Sequence, residues 1–164
     1  MRIIGIDPGL ATIGIGLVEI DEKCKPKALD WLTITTLAGL PMGQRLKELA
    51  VDLRAYLRDA SADLAVVERL FFATNRQTAI EVAQARGAII LTIEEQGIPV
   101  LEPTPLQLKM SIAGHGQADK RQMQDMVTRI LELDQIPTPD DAADGLAMAL
   151  YGAFTHNFSS IAVK

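Results

Sequence analysis

Four acidic residues border apolar segments of this chain, in a pattern typical of a divalent metal site. Asp7 ends a strand-like apolar segment at the N-terminus, Glu68 ends a second one, and Asp141 and Asp144 open an apolar helix. Folding is expected to bring such residues together near an edge of the core, where clustered negative charges repel one another. A bound cation is the simplest way to relieve this repulsion.

The type and spacing of these acids favour a hard metal ion and phosphoryl chemistry. Asp141 and Asp144 are three residues apart, which on a helix places both side chains on one face, roughly 5–6 Å apart at Cβ. Oxygen ligands without His or Cys favour Mg²⁺ or Mn²⁺, which keep water ligands and bind substrate phosphate. Two such ions, about 3.5–4 Å apart, would activate the attacking water and stabilise the leaving oxygen of an in-line displacement. The acids therefore predict phosphodiester hydrolysis.

Each acid also has a structural explanation that needs no metal. Asp7 can form a turn before Pro8-Gly9, and Glu68 can pair with Arg69 at the end of a strand. Asp144 is the hardest to explain in this way, since it follows the first helical turn and has apolar helical neighbours. A ligand role is therefore favoured for Asp144, and the set of four acids carries more weight than any one of them.

Two neighbouring aspartates compete for one place in the site. Asp141 lies three residues after Thr138 and can cap the helix, whereas Asp140 can complement the helix dipole. Asp140 is also four residues before Asp144 and shares its face. Spacing alone leaves the choice between Asp140 and Asp141 open.

The apolar pattern predicts an α/β domain with five strands and five helices. The first three strands follow one another through short turns and predict an antiparallel meander. A helix connects them to the fourth strand, so that this strand can lie parallel to the first. The predicted strands are 2–7, 11–20, 26–37, 63–68 and 98–101; the predicted helices follow Pro41, span 78–95, 103–112 and 119–133, and begin at Thr138-Pro139.

Length and composition indicate one domain without a membrane segment. With 164 residues, 48% of them hydrophobic, the chain can bury one substantial core, which we expect over residues 1–158, with a short C-terminal tail over 159–164. Neither an apolar run of about 18 residues nor an apolar leader is present, which predicts a cytoplasmic protein. The single cysteine, Cys24, excludes an internal disulfide and argues against redox chemistry.

The net charge of −5 argues at first sight against nucleic acid as a partner. Four of the acidic side chains belong to the candidate metal site, however, where bound divalent ions would offset their charge. The segment from Arg69 to Arg76 carries two cations and no acid, whereas the longer segment from Arg69 to Arg121 mixes both signs. Composition alone does not reveal a DNA-binding face.

An ordered set of short motifs runs along nearly the whole chain. It comprises Gly5-Ile-Asp-Pro-Gly9, Val67-Glu68 with Phe71 following, Gln84-Ala-Arg-Gly87, Lys109, Gly114-x-Gly116 with Lys120, and Asp141-Ala-Ala-Asp144-Gly-Leu-Ala. This set resembles the RuvC family of bacterial Holliday-junction resolvases. The resemblance implies a ribonuclease H-like fold with a mixed five-stranded sheet flanked by helices, a homodimer, and paired symmetric incisions in a four-way DNA junction. It also implies the branch-migration proteins RuvA and RuvB as partners.

The same resemblance assigns roles to individual residues. It implies that the metal-binding catalytic acids are Asp7, Glu68, Asp141 and Asp144, which favours Asp141 over Asp140, and it places Lys109 and Lys120 near the scissile phosphate. Lys120 has an independent argument, because a cation in the first turn of a helix opposes the dipole unless a phosphate binds there. A solvated lysine paired with Asp119 is the alternative.

Further residues are candidate DNA contacts. The resemblance places Phe71 where the family stacks or wedges an aromatic side chain beside an unpaired base at the crossover; packing in the core is the alternative. Arg69 and Arg76 can contact the DNA backbone or remain solvated. His115 can position a phosphate or protonate a leaving group, but we interpret it as a turn residue.

The predicted helix over 78–95 is the candidate dimer contact. Its small residues permit close approach of another helix, although internal packing explains them equally well; they are Ala83, Ala85, Gly87 and Ala88.

Three other functions compete with junction resolution. The first is a ribonuclease H-like nuclease acting on RNA or on an RNA–DNA hybrid, which would use the same acids. The second is a nucleotide-binding protein related to actin and hexokinase, but the chain is short for two domains and has no Walker-type loop. The third is a non-catalytic junction binder, against which the acids argue, because they would repel DNA phosphates without a metal.

Overall fold

The computed structural model describes the backbone of residues 1–69 and 76–161 and the side chains of residues 1–69 and 79–156. Its elements have the predicted types and order, with ends that differ by a few residues. The strands are β1 (Arg2–Asp7), β2 (Thr12–Ile20), β3 (Pro26–Thr35), β4 (Leu64–Val67) and β5 (Val100–Leu101). The helices are α1 (Met42–Ala60), α2 (Arg76–Glu94), α3 (Pro105–Ala113), α4 (Lys120–Ile130) and α5 (Asp140–Ile161).

The strands of the described residues form one mixed five-stranded sheet with the order β3-β2-β1-β4-β5. β1 pairs with β2, and β2 with β3, in antiparallel fashion, whereas β1 pairs with β4, and β4 with β5, in parallel. The antiparallel meander and the parallel fourth strand predicted from the sequence are therefore confirmed. The crossover through α1 explains the switch of direction, because parallel strands need a long connection.

Helices cover both faces of the sheet. Ile3 and Leu64 point to a face that packs against α3, α4 and α5, whereas Ile4 and Val67 point to the opposite face, which packs against α1 and α2. This division follows from the period of two in a strand, which sends neighbouring side chains to opposite faces.

Helix α5 lies directly on β1 and β2 because glycines face it. A Cβ atom at Gly14 would lie 1.7 Å from the Asp141 carbonyl oxygen, and one at Gly5 would lie 2.1 Å from the Gly145 carbonyl oxygen. Only residues without a side chain allow backbones to approach this closely. This contact places the first turn of α5, with its aspartates, over the end of β1.

Two capped helices complete the surroundings of that edge. Thr104 and Gln107 form a capping box at the start of α3, and Asp119 and Gln122 form one at the start of α4. Each box satisfies backbone donors that a helix start leaves open and so defines where the helix begins.

No helix within the described ranges is long and apolar enough to cross a membrane. Helix α5 extends to Ile161, and residues 162–164 of the proposed tail lie outside the described residues. The division into a domain of residues 1–158 and a tail of 159–164 stays a prediction.

Candidate metal centre

The ends of two parallel strands bring the first two acids to one side of the sheet. Asp7 is the last residue of β1 and shares a face with Ile3, while Glu68 directly follows β4 and shares a face with Leu64. That face is the one covered by α5, which begins at Asp140. All four predicted acids therefore meet where β1 and β4 end beneath the start of α5.

Three of these acids form a group that fits a metal ion. One carboxylate oxygen from each of Asp7, Asp141 and Asp144 lies within 4.8 Å of the other two, and all three residues are half-buried. Carboxylate oxygens at such separations suit a hard divalent cation. Glu68 is not part of this group, but it lines the same cavity of about 260 Å³ together with Asp7, Asp144, Lys109 and Lys120.

The electrostatics of the cavity disfavour negative charge. Burial, followed by the charges of Asp144, Glu68 and Asp141, raises the pKa of Asp7 to about 7, although Lys120 partly opposes this. Burial and the neighbouring Asp144 raise the pKa of Glu68, against the effect of Lys109. Burial also raises the pKa of Asp144, where Lys120 opposes the effect of Asp141 and Asp140. A cation would remove this repulsion and stabilise the ionised carboxylates.

Lys120 joins α4 to the start of α5. Its Nζ atom lies 3.1 Å from Oδ2 of Asp140 and 3.7 Å from Oδ2 of Asp144. The alternative pairing with Asp119 is wrong, because the Asp119 side chain instead accepts a hydrogen bond from the backbone N–H of Gln122 at 2.8 Å. Lys120 therefore lies beside the acids of the candidate metal centre, with its ammonium group close to Asp140 and Asp144.

The structure separates the two competing aspartates. Asp140 is exposed, and its hydrogen bonds with Lys120 and Gln124, together with the charge of Lys120, lower its pKa. Asp141, one residue later, points its carboxylate towards Asp7 and Asp144. The geometry thus places Asp141 in the group of three carboxylates and leaves Asp140 as the partner of Lys120.

Comparisons with known proteins identify the family of this chain. A family model described as crossover junction endodeoxyribonuclease RuvC matches residues 3–152. The chain belongs to the RuvC family. The enzyme of that name from Syntrophomonas wolfei is 46% identical over 160 residues, covering 98% of this chain and 92% of the relative. The enzyme of the same name from Chloroflexus aurantiacus is 49% identical over 155 residues, covering 94% of this chain and 94% of the relative.

A solved structure from the same family shares the fold. The Thermus thermophilus RuvC in complex with Holliday junction substrate superposes with a TM-score of 0.90 at 32% identity, covering 98% of this chain and 97% of that one. The ribonuclease H-like fold that the motifs imply is therefore confirmed, as is the resemblance to the RuvC family.

Lys109, which only the RuvC resemblance had singled out, lies in the cavity beside Glu68. It is carried by α3 and lines the cavity together with Lys120 of α4, and its charge is the one that lowers the pKa of Glu68. Within the described residues no ion pair joins the side chains of Glu68 and Arg69, so the alternative pairing is not seen. Arg69 is exposed, and its backbone N–H donates to the Pro103 carbonyl oxygen at 2.8 Å.

The remaining candidate residues of the RuvC resemblance lie away from the described cavity or outside the described residues. Phe71 lies outside the described residues. Arg76 begins α2, but its side chain is also outside them. His115 follows the left-handed Gly114 that ends α3, is exposed, and is not among the described residues that line the cavity.

Sequence reasoning missed one residue at this site, Arg86 on α2. Its Nε atom donates a hydrogen bond to the Glu68 carbonyl oxygen at 2.8 Å, and its Nη2 atom is paired with Glu102. The motif Gln84-Ala-Arg-Gly87 contains this arginine, but a motif alone does not show which strand its side chain reaches.

Proposed function

We propose that this chain is a metal-dependent endonuclease that resolves four-way DNA junctions in homologous recombination and DNA repair, by paired symmetric hydrolysis of phosphodiester bonds. The observation that carries the proposal is the group of three carboxylates, Asp7, Asp141 and Asp144, within 4.8 Å of one another. Two of them, Asp7 and Asp144, line a cavity together with Glu68 and two lysines. Membership of the RuvC family and likeness to a RuvC with bound Holliday junction substrate give the substrate class.

Asp7, Asp141 and Asp144 would hold one ion, and Glu68 would join Asp7 in holding a second. Mg²⁺ and Mn²⁺ suit these oxygen ligands, and such ions supply Lewis-acid activation of water and phosphate when bound. The raised pKa values of Asp7, Glu68 and Asp144 support this assignment, because an empty cluster of acids resists ionisation and a cation reverses that preference.

The lysines bind and orient the scissile phosphate. Lys109 on α3 and Lys120 on α4 reach the cavity from two different helices. Each ammonium group can donate to a phosphate oxygen, and Lys120 is also at the N-terminal end of α4, where the helix dipole favours an anion. Together they would hold a DNA strand across the acids despite the net negative charge of the chain.

The remaining DNA contacts come from the segment after Glu68. Arg69 is exposed and immediately follows this catalytic acid, so its side chain can reach a neighbouring backbone phosphate. Phe71 would stack on or wedge beside a base at the crossover, and Arg76 would contact the backbone, as the resemblance implies.

We assign the dimer contact to the outer face of α2. Ile80 and Leu91 are 70% and 61% exposed, and a Cβ atom at Gly87 would meet no atom within 4 Å. These residues follow helical spacing and form an apolar strip with a gap into which a second helix fits. Two copies related by twofold symmetry would present two equivalent sites to the two strands of a junction. The RuvC resemblance is the reason to propose RuvA and RuvB as partners, and a cytoplasmic location is part of the same proposal.

The deciding experiment maps cuts on three substrates. Purified protein is incubated with a synthetic four-way DNA junction, a matched linear duplex and an RNA–DNA hybrid, each with Mg²⁺, Mn²⁺ or a chelator. We expect symmetric nicks that are confined to the junction and lost with chelator. Cutting of the hybrid would contradict the proposal and favour a ribonuclease. Tight junction binding without cutting in any metal would also contradict it and favour a non-catalytic junction binder.

A further inference from the structure

The Glu68 backbone lies just beyond the part of the sheet that holds β4 in place. The ladder between β4 and β1 ends at the pair of Val67 and Ile6, and that between β4 and β5 ends at the pair of Val66 and Leu101. Glu68 follows directly, so its carbonyl oxygen has no ladder partner. A polar backbone group at a half-buried position needs a donor from elsewhere.

Arg86 supplies that donor from a different element. Its Nε atom donates to the Glu68 carbonyl oxygen at 2.8 Å, and its Nη2 atom is paired with the Glu102 carboxylate. The Arg86 side chain is only 16% exposed, so water competes little for these bonds. One guanidinium group thus joins α2, the end of β4 and the loop that leads from β5 to α3.

The same loop is tied to β4 by a second bond. The backbone N–H of Arg69 donates to the Pro103 carbonyl oxygen at 2.8 Å, one residue after Glu102. The two residues Glu68 and Arg69 are therefore fixed by two neighbouring contacts, one from a side chain and one from the backbone. Helix α3, which carries Lys109, begins two residues further on.

We propose that Arg86 is a positioning residue that sets the place of the Glu68 carboxylate in the metal centre, with Glu102 as the partner that orients the guanidinium group. The proposal rests on the proposed function and deepens it, because it assigns a further residue to the same site. Arg86 does not touch the substrate or the reacting atoms and acts through the main chain of Glu68.

Geometry, and not charge, is the means by which Arg86 acts. Its Nε atom bonds the Glu68 carbonyl oxygen and its Nη2 atom the Glu102 carboxylate, so both of these donors are used by groups other than the Glu68 carboxylate. The planar fork of arginine directs two donors at two fixed points, which the single ammonium group of lysine does not reproduce. Arg86→Lys therefore keeps the charge and loses the geometry, and small displacements of a ligand are costly at a site of this kind.

The test compares Arg86→Lys with a control that removes a similar ion pair elsewhere. Arg54 of α1 pairs with Glu95 at 2.7 Å and is partly buried, but it makes no contact with Glu68, so Arg54→Gln is the control. For each protein, Mn²⁺ affinity is measured by calorimetric titration without DNA, junction cleavage is measured as a function of Mn²⁺ concentration, and junction affinity is measured with chelator.

We expect Arg86→Lys to weaken Mn²⁺ binding and to lower the cleavage rate, each on the order of tenfold, with junction affinity in chelator unchanged. Glu102→Gln should shift both quantities in the same direction but less, and it provides the test if Arg86 variants do not fold. Arg54→Gln should change neither quantity, even where it lowers the melting temperature.

Normal Mn²⁺ affinity and cleavage in a folded Arg86→Lys protein would overturn the proposal, as would an equal loss in Arg54→Gln. The calorimetric measurement separates this failure from that of the proposed function. If the unmodified protein binds Mn²⁺ but does not cut junctions, the proposed function fails and the Arg86 comparison still decides the positioning role. If it binds no Mn²⁺, both fail.

Discussion

Asp7 is the acid of the candidate metal centre whose pKa is raised most. Burial and three neighbouring acids raise its pKa to about 7 from an ordinary value of 3.8. The folded chain therefore retains a proton that the unfolded chain has lost between these two pH values. By linkage, the contribution of Asp7 to stability is fully present below pH 3.8 and is lost as the pH rises through 7.

The first prediction concerns this pH dependence. Without metal, Asp7→Asn should be more stable than the unmodified protein at pH 8, by at most about 4 kcal/mol, and the difference should vanish near pH 4. Urea unfolding in chelator across this range measures it. Added Mn²⁺ should reverse the order at pH 8, since only the carboxylate is a good ligand. Equal stability of the two proteins in chelator at pH 8 would contradict the raised pKa.

The second prediction separates two aspartates on one helix face. Asp144→Asn keeps the size of the side chain but removes a charged ligand, so junction cleavage should fall by more than about 100-fold while junction binding is preserved. Gel-shift and cleavage measurements on one junction provide both numbers. Asp140→Asn is the matched control, because Asp140 is exposed and lies outside the group of three carboxylates.

The control should retain cleavage within about tenfold, a loss that corresponds to a displaced Lys120. Retained incision by Asp144→Asn at saturating Mg²⁺ or Mn²⁺ would rule out its role as a ligand. The opposite pattern, with Asp140 essential and Asp144 dispensable, would assign the ligand role to Asp140 in place of Asp144.

At the scale of elements, the close packing of α5 on the sheet determines where Asp141 lies. Gly14 pairs with Asp7 across β1 and β2 and faces the Asp141 backbone, so a methyl group there forces the helix away from the strand end. Gly14→Ala should therefore destabilise the fold by about 1–3 kcal/mol and also weaken Mn²⁺ binding. Thermal unfolding and calorimetric titration measure the two effects.

Gly43→Ala is the matched control for this third prediction. Gly43 lies in α1, and a Cβ atom there would meet no atom within 4 Å. Alanine favours a helix over glycine, so this variant should be as stable as the unmodified protein or more stable by up to about 1 kcal/mol. If Gly14→Ala behaves like Gly43→Ala, close approach of α5 does not position the acid.

The sequence predicts the elements better than it predicts the contacts between them. Strands with alternating apolar residues and helices with a period near 3.6 are local signals, so type and order could be obtained from the chain alone. The parallel placement of β4 followed from the length of the crossover. Asp7 and Glu68 could be assigned to one edge because both end apolar strands.

Contacts that join distant segments could not be predicted in this way. The pairing of Lys120 with Asp140 depends on how α4 packs against α5, whereas the sequence offered only the adjacent Asp119 as an alternative partner. The bond from Arg86 to the Glu68 carbonyl oxygen depends on the distance between α2 and the end of β4. Such distances are set by packing of the whole core, which no short motif encodes.

At the scale of the whole molecule, paired incision requires two metal centres on one junction. The fourth prediction tests the α2 face as the source of that pairing. Gly87→Arg places a long cation where a second helix would approach, so it should convert a dimer to a monomer, as measured by sedimentation. The fold should survive, because a Cβ atom at Gly87 meets no atom within 4 Å and the longer side chain can extend away from its own chain.

The control and the substrate make this prediction specific. Gly43→Arg adds the same side chain at another uncrowded glycine and should leave the sedimentation coefficient unchanged.

On a supercoiled plasmid with an extruded cruciform, two sites held on one junction cut both strands before the junction is lost, which yields linear DNA. A monomer cuts one strand, and the released supercoiling removes its own substrate, so Gly87→Arg should yield nicked circles. A dimeric Gly87→Arg protein with an intact fold would show that the dimer contact lies elsewhere. Linear product from a monomeric protein would show that paired incision does not need the contact through α2.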